Sequence, residues 1–84
     1  QRPWLLDVRT EPEYRGGCIP GAVNIPVDEL RSRLQEIPRD RLLAVYCQVG
    51  IRGYIATRIL LQHGFAASNL GGGYSTYKMY RPHA

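Results

Sequence analysis

Leu42-Leu43-Ala44-Val45-Tyr46-Cys47-Gln48-Val49-Gly50-Ile51-Arg52-Gly53 is the stretch that decides how this chain is read. Its first five residues are apolar throughout, as a strand covered on both faces requires. The next seven hold a cysteine, two glycines and an arginine, which read as a tight loop. Beyond them Ile55, Ala56, Ile59 and Leu60 follow helical spacing, with Arg58 and Gln62 outside, so a helix is expected to begin about six residues after Cys47. Gly64 fits the left-handed position past that helix, from which Phe65 would fold back onto Leu60 in a Schellman close.

Working outward, Trp4-Leu5-Leu6-Asp7-Val8 is a second apolar run. Ala67-Ser68-Asn69-Leu70 is a weaker strand, and Ala22-Val23-Asn24-Ile25 is a short extended stretch after the Pro20-Gly21 turn. A helix is expected from Asp28, whose carboxylate would cap it. Leu30, Leu34 and Ile37 would share one face, Glu29 would pair with Arg33, and Pro38 would end the segment. Tyr74, Tyr77 and Tyr80 recur at threes, which predicts a short last helix after the Gly71-Gly72-Gly73 turn, its tyrosines packing as core and rim. Strands alternating with helices predict an α/β fold: a central parallel sheet, right-handed crossovers and helices on both faces.

The 84 residues make one domain, 44% hydrophobic and 21% charged, which excludes a disordered chain. The net charge of +4 suits anionic ligands, yet the arginines are scattered, so nucleic acid is not the expected partner. Two cysteines exclude a disulfide-dense scaffold, and no apolar run approaches the ~18 residues of a membrane span. No metal site is expected, and no Gly-x-Gly-x-x-Gly follows a strand to hold a dinucleotide. The chain opens on Gln1 and enters an apolar segment almost at once, which reads as a piece of something longer.

In an open α/β sheet, ligands bind outside the carboxyl ends of the strands, and Cys47 sits at such an end. A loop with two glycines running into a helix N-terminus gathers backbone N–H groups into an anion cradle. A thiol held there is favoured as thiolate. Arg52 adds a planar cation, and because a cation at a helix N-terminus opposes the dipole, it calls for a compensating anion. A nucleophilic sulfur beside an oxyanion binder suits attack on a sulfur, phosphorus or arsenic centre. Asp7, Arg9 and Glu13 read as a charged cluster at the strand end that supports the loop, with Arg9 facing the pocket. Cys18 reads as structural within its Pro-Gly turn, and His63 as a helix C-terminal residue without a catalytic part.

Several motifs stand in order along the chain: Asp7-Val8-Arg9, Glu13-Tyr14, Gly17-Cys18-Ile19-Pro20-Gly21-Ala22, Asn24-Ile25-Pro26, Cys-x4-Arg and Asn69-Leu70-Gly71-Gly72-Gly73-Tyr74. With them the chain resembles the rhodanese homology domain over essentially its whole length. The run from Cys47 to Ala56 is most similar to the C-terminal rhodanese domain of coenzyme A-disulfide reductase-type flavoproteins. The resemblance implies that Cys47 takes a sulfane sulfur from a persulfide, polysulfide or thiosulfate and passes it to a thiol acceptor. Gln48, Val49, Gly50, Ile51, Arg52 and Gly53 would form the substrate-binding loop, their amides holding the persulfide or donor anion, with Arg52 anchoring the loop and the donor's anionic end.

The resemblance also implies a cytoplasmic parent with a flavoprotein reductase module in cis, which would supply FAD and NAD(P)H; this domain needs no cofactor of its own. The family normally has His where this chain has Cys18, and a further strand and helix before Trp4, so residues 1–84 are expected to be a single domain lacking those elements. Two other readings compete: a non-catalytic docking or regulatory module, and a small phosphatase or arsenate reductase. The related cell-cycle phosphatases have five residues between cysteine and arginine; this chain has four, a narrower cradle that favours sulfur.

Overall fold

Strands β1 (Trp4–Asp7), β2 (Val23–Asn24), β3 (Leu42–Tyr46) and β4 (Ala66–Asn69) form one parallel sheet in the order β2-β1-β3-β4. The computed structural model that describes them covers residues 2–80, without the side chain of Tyr80. Register pairs Trp4 with Leu43 and Asp7 with Tyr46, so the two central strands end level. From β1 the chain moves outward to β2, and from β3 it moves the other way to β4. The gap between those diverging connections is a topological switch point, where open α/β sheets bind their ligands.

Alternation along the strands sends side chains to two separate cores. On one face Leu6, Val8, Leu43, Val45 and Cys47 pack against Ala56, Ile59 and Leu60 of helix α2 (Ile51–Gln62). On the other, Leu5 and Tyr46 meet Ile19, Ala22 and Tyr14, together with Tyr74 and Tyr77 of helix α3 (Gly73–Tyr80). Helix α1 (Glu11–Arg15) lies on this second side and carries Tyr14. The parallel sheet between helical layers is therefore as expected, and so is the Schellman close. Gly64 has φ +86°, its N–H reaches the Leu61 carbonyl at 3.1 Å, and the Phe65 N–H reaches that of Leu60 at 3.0 Å. Tyr74 and Tyr77 stack in the second core, with ring centroids 5.9 Å apart; the Tyr80 side chain lies outside the described residues.

Two local expectations need correction, and one element is additional to those read from sequence. The segment from Asp28 is not an α-helix capped by that residue. It is two 3-10 turns, Val27–Ser32 and Leu34–Glu36, and exposed Asp28 lies inside the first. Arg33, at φ −125°, breaks the hydrogen-bond ladder between them. Leu30 and Ile37 are still buried, because a four-residue step across that break and a three-residue step after it keep both on the core side. Glu29 and Arg33 do pair, at 2.9 Å. Helix α2 begins at Ile51, two residues earlier than its spacing suggested, and Ile55 points outward, 47% exposed. Helix α1 is the additional element. It buries no residue and so leaves no periodic signal, but Thr10 and Glu13 form a reciprocal capping box at its start.

Candidate active site

Cys47 lies one residue beyond β3, only 1% exposed, at the switch point between β1 and β3. Its Sγ accepts two backbone N–H groups, from Gly50 and from Gly53, each at 3.1 Å. The loop can turn this tightly because Gly50, the residue before α2, has φ +121°, a conformation open to glycine. Gly53 is needed for a different reason: a Cβ there would strike the Asn69 side chain on β4. The two donors are the N-cap residue of α2 and a residue of its first turn, whose N–H groups have no partner within the helix and carry the positive end of its dipole. Sulfur and helix are thus joined by the same peptide groups.

The loop is held open from behind by α3. The Tyr74 N–H donates to the Cys47 carbonyl at 2.7 Å and the Ser75 N–H to the Gln48 carbonyl at 3.0 Å. Those contacts give both carbonyls a backbone partner and tie the start of the loop to α3. Gly73, at φ +57°, makes the approach possible, since any side chain at that position would collide with the Cys47 carbonyl. The glycine run, read from sequence as a simple turn, therefore carries part of the site. The Gln48 amide donates to Ser75 Oγ at 3.1 Å and accepts from Arg9 Nη1 at 3.0 Å. Ser75 had no signal of its own in the sequence beyond its place after that run.

Arg9 does not face the pocket, contrary to the expectation from sequence. It is 2% exposed, closed on the fully buried Asp7 carboxylate by bonds from Nε and Nη2, the shortest 2.7 Å. Its Nη2 also reaches the Gly17 carbonyl at 2.7 Å, and the guanidinium lies over the Tyr74 ring, 4.4 Å from the centroid. Burial works against the Arg9 charge, but the bonds to Asp7 outweigh it and the Arg9 pKa is raised. Tyr46 is buried beside this pair. Loss of water pushes its phenol up, and the hydroxyl accepts the Ile19 N–H at 3.1 Å, which fixes the 17–22 turn.

Arg52 has the compensating anion that its position calls for, and it is Glu13. Nη1 and Nη2 meet the two carboxylate oxygens at 2.7 and 3.0 Å, a bidentate pair. The Arg52 bonds, helped by Thr10 and opposed by partial burial, hold the Glu13 carboxyl down at about 2. The same pairing raises Arg52. Val49 and Ile51 form an apolar rim, 62% and 71% exposed, with Tyr54 next to them on α2. Cys18 is half-buried and free, in the turn that the Arg9 bond to Gly17 secures. His63, exposed, turns Nδ1 to the Ile59 carbonyl at 2.8 Å, a helix-end contact. Among the described residues no three His, Cys, Asp or Glu side chains converge on a metal position, and no helix is long and apolar enough to cross a membrane.

A parallel α/β sheet with a cysteine at a central strand end, its sulfur cradled by the start of the next helix, is the framework that places this chain in its class. The chain belongs to the rhodanese-like domain family, whose profile matches residues 1–80. A sulfurtransferase of Allochromatium vinosum is 41% identical over 82% of this chain and 65% of its own. The human thiosulfate:glutathione sulfurtransferase is 40% identical over 87% of this chain and 76% of its own. Among solved structures, reduced CoADR-RHD of Bacillus anthracis superposes with a TM-score of 0.86 at 45% identity, over 89% of this chain and 14% of that one. The chain thus spans less than two thirds of the Allochromatium protein and about one seventh of the Bacillus protein.

Proposed function

We propose that this domain transfers sulfane sulfur through a persulfide on Cys47. The observation that carries the reading is the pair of N–H groups, from Gly50 and Gly53, each 3.1 Å from Sγ. They stabilise negative charge on the sulfur before attack and on the persulfide after it. In the first half-reaction the Cys47 thiolate attacks the outer sulfur of R–S–SH. One S–S bond forms and one breaks, giving Cys47–S–SH and R–S⁻. In the second, an acceptor thiolate R′–S⁻ takes that outer sulfur as R′–S–SH and restores the Cys47 thiolate. Gln48, Val49 and Ile51 shape the mouth, Gly50 and Gly53 supply the cradle, and Arg52 braces the loop against Glu13. Asp7 and Arg9 hold the loop's base through Gln48.

The test is intact mass after exposure to a sulfane donor. Wild type and Cys18→Ser should gain one sulfur, removable by cyanide or dithiothreitol, and Cys47→Ser should gain none. A sulfur gained by Cys47→Ser but not by Cys18→Ser sinks the assignment. A wild-type chain that gains none would favour a docking module, and turnover of an aryl phosphate or arsenate would favour the phosphatase or arsenate reductase chemistry.

In the cell we place the domain in a cytoplasmic flavin-dependent coenzyme A-disulfide or persulfide reductase, whose FAD and NAD(P)H belong to the other module. Its similarity to CoADR-RHD, within a chain about seven times longer, supports that setting. The outward face of α2 supports it too. Ile51, Tyr54, Ile55 and Leu61 are all exposed there, the helix contains no acidic residue, and the face begins at the loop mouth. A reductase thiol docked along it would reach the Cys47 persulfide, and a tether would raise its local concentration to the millimolar range for a short linker. Equal turnover for fused and separate reductase at micromolar protein would count against the tether, and Tyr54→Ala should slow only the transfer step.

A further inference from the structure

The charge at the loop mouth is set by a residue outside the loop. Arg52 is the loop's own cation, and both of its terminal nitrogens are taken up by the Glu13 carboxylate, at 2.7 and 3.0 Å. Glu13 is held in place independently of the loop. Its Oε1 accepts the Thr10 N–H and hydroxyl, each at 3.0 Å, within the capping box of α1. The Arg9 guanidinium is closed on Asp7 and buried, and the cations beside the loop, Arg31 in the cleft that Arg52 lines and Lys78 in the one that Gln48 lines, belong to other elements. The remaining side chains of the loop, Gln48, Val49 and Ile51, are neutral. Within the loop itself, a donor at Sγ therefore meets N–H dipoles and one cation whose charge is already matched.

Donors differ in what they ask of such a site. Attack on thiosulfate runs Cys47–S⁻ + S–SO3²⁻ → Cys47–S–S⁻ + SO3²⁻, with three negative charges in the reacting group. Attack on a protonated persulfide, Cys47–S⁻ + R–S–SH → Cys47–S–SH + R–S⁻, carries one. The Gly50 and Gly53 N–H groups serve the sulfur anion in both cases, and only a cation at the mouth can meet the two extra charges.

Resting on the sulfur-transfer reading above, we infer that Glu13 is a specificity-determining residue: by occupying Arg52 it selects persulfides of organic thiols over thiosulfate as sulfur donors. Glu13 acts through Arg52 and touches neither donor nor sulfur.

The test compares kcat/KM for loading Cys47 from thiosulfate and from glutathione persulfide, in wild type, Glu13→Gln and Glu13→Asp. Glutamine keeps an oxygen for Thr10, so the capping box survives while the charge is removed. In the wild type, glutathione persulfide should be favoured at least about tenfold, since close unmatched charges act strongly at a part-buried site. In Glu13→Gln the thiosulfate-to-persulfide ratio should rise about tenfold at low salt, and the gain should shrink as salt is added. Glu13→Asp, which keeps the charge, should leave the ratio within about threefold of wild type.

An unchanged ratio in Glu13→Gln, with both donors still loading Cys47, overturns the inference. So does a wild type that prefers thiosulfate, a result that needs no variant to fold. A wild type loaded by neither donor strikes instead at the role of Cys47, which separates the two failures.

Discussion

Replacing Arg9 by methionine keeps most of the side-chain volume and removes every polar contact that the guanidinium makes. Asp7, fully buried, would be left with the Arg9 backbone N–H at 2.9 Å and no counter-charge. The Gly17 carbonyl and the Gln48 amide oxygen each lose a donor as well. Breaking a buried ion pair on one side costs about 3–5 kcal/mol, because the surviving charge is left without compensation. For 84 residues the total stability is about 4–13 kcal/mol, so Arg9→Met would use up a large part of it. The midpoint of thermal unfolding should fall by about 12–40 °C at this chain length. Urea denaturation followed by circular dichroism measures the loss directly, and Asp7→Asn in the same background completes a double-mutant cycle. Neutralising the stranded carboxylate should recover stability, with a coupling energy of about 2–3 kcal/mol. A loss below about 1 kcal/mol for Arg9→Met, or strictly additive single losses, would refute the claim that this pair is a closed, buried unit.

Three further outcomes are expected. Gly73→Ala, which must hold φ +57° and presses a Cβ into the Cys47 carbonyl, should lose about 2–4 kcal/mol and slow sulfur loading. Gly71→Ala, with open space around it, should stay within about 0.5 kcal/mol by the same denaturation assay. The Glu13 carboxyl, at about 2 in the folded chain, lies below the ordinary ~4.3 it would have unfolded. Its contribution is therefore complete above pH 4.3 or so and lost as pH falls toward about 2. Thermal scans should accordingly show wild type losing its advantage over Glu13→Gln between about pH 4.5 and pH 2. On α2, Leu60→Ala should cost about 2–5 kcal/mol and Ile55→Ser under about 1 kcal/mol, since the first is fully buried and the second half exposed.

The parts of the fold visible in the sequence are those where burial writes a periodic pattern. The apolar runs at Trp4–Val8 and Leu42–Tyr46 leave little choice but central strands. The spacing of Ala56, Ile59 and Leu60 fixes the core face of α2. Ile55 misled because an apolar residue at helical spacing need not face the core when the outer side of the helix is apolar too. The 27–37 segment misled because spacings of three and four suit a broken pair of 3-10 turns as well as an α-helix. For α1 the signal was chemical: Thr10, Glu13 and a proline at the second helical position. At the site, the loop from Cys47 to Gly53 and the need for an anion beside Arg52 could be read from type and order alone. That Glu13 supplies the anion, and that Arg9 turns inward to Asp7, depends on how far the chain folds back, which no local pattern records.

The docking of α3 on the Cys47 loop also sets an order of events in the life of the chain. A ribosome delivers the loop well before it delivers Gly73, Tyr74 and Ser75, whose backbone binds the Cys47 and Gln48 carbonyls. Until α3 arrives, those two carbonyls lack the donors that hold this part of the loop. The loop around Cys47 is therefore braced only once α3 has been made, later than the strand that carries it. The same dependence works in reverse. A protease cutting in the Gly71–Gly73 turn would loosen that brace without touching the loop itself.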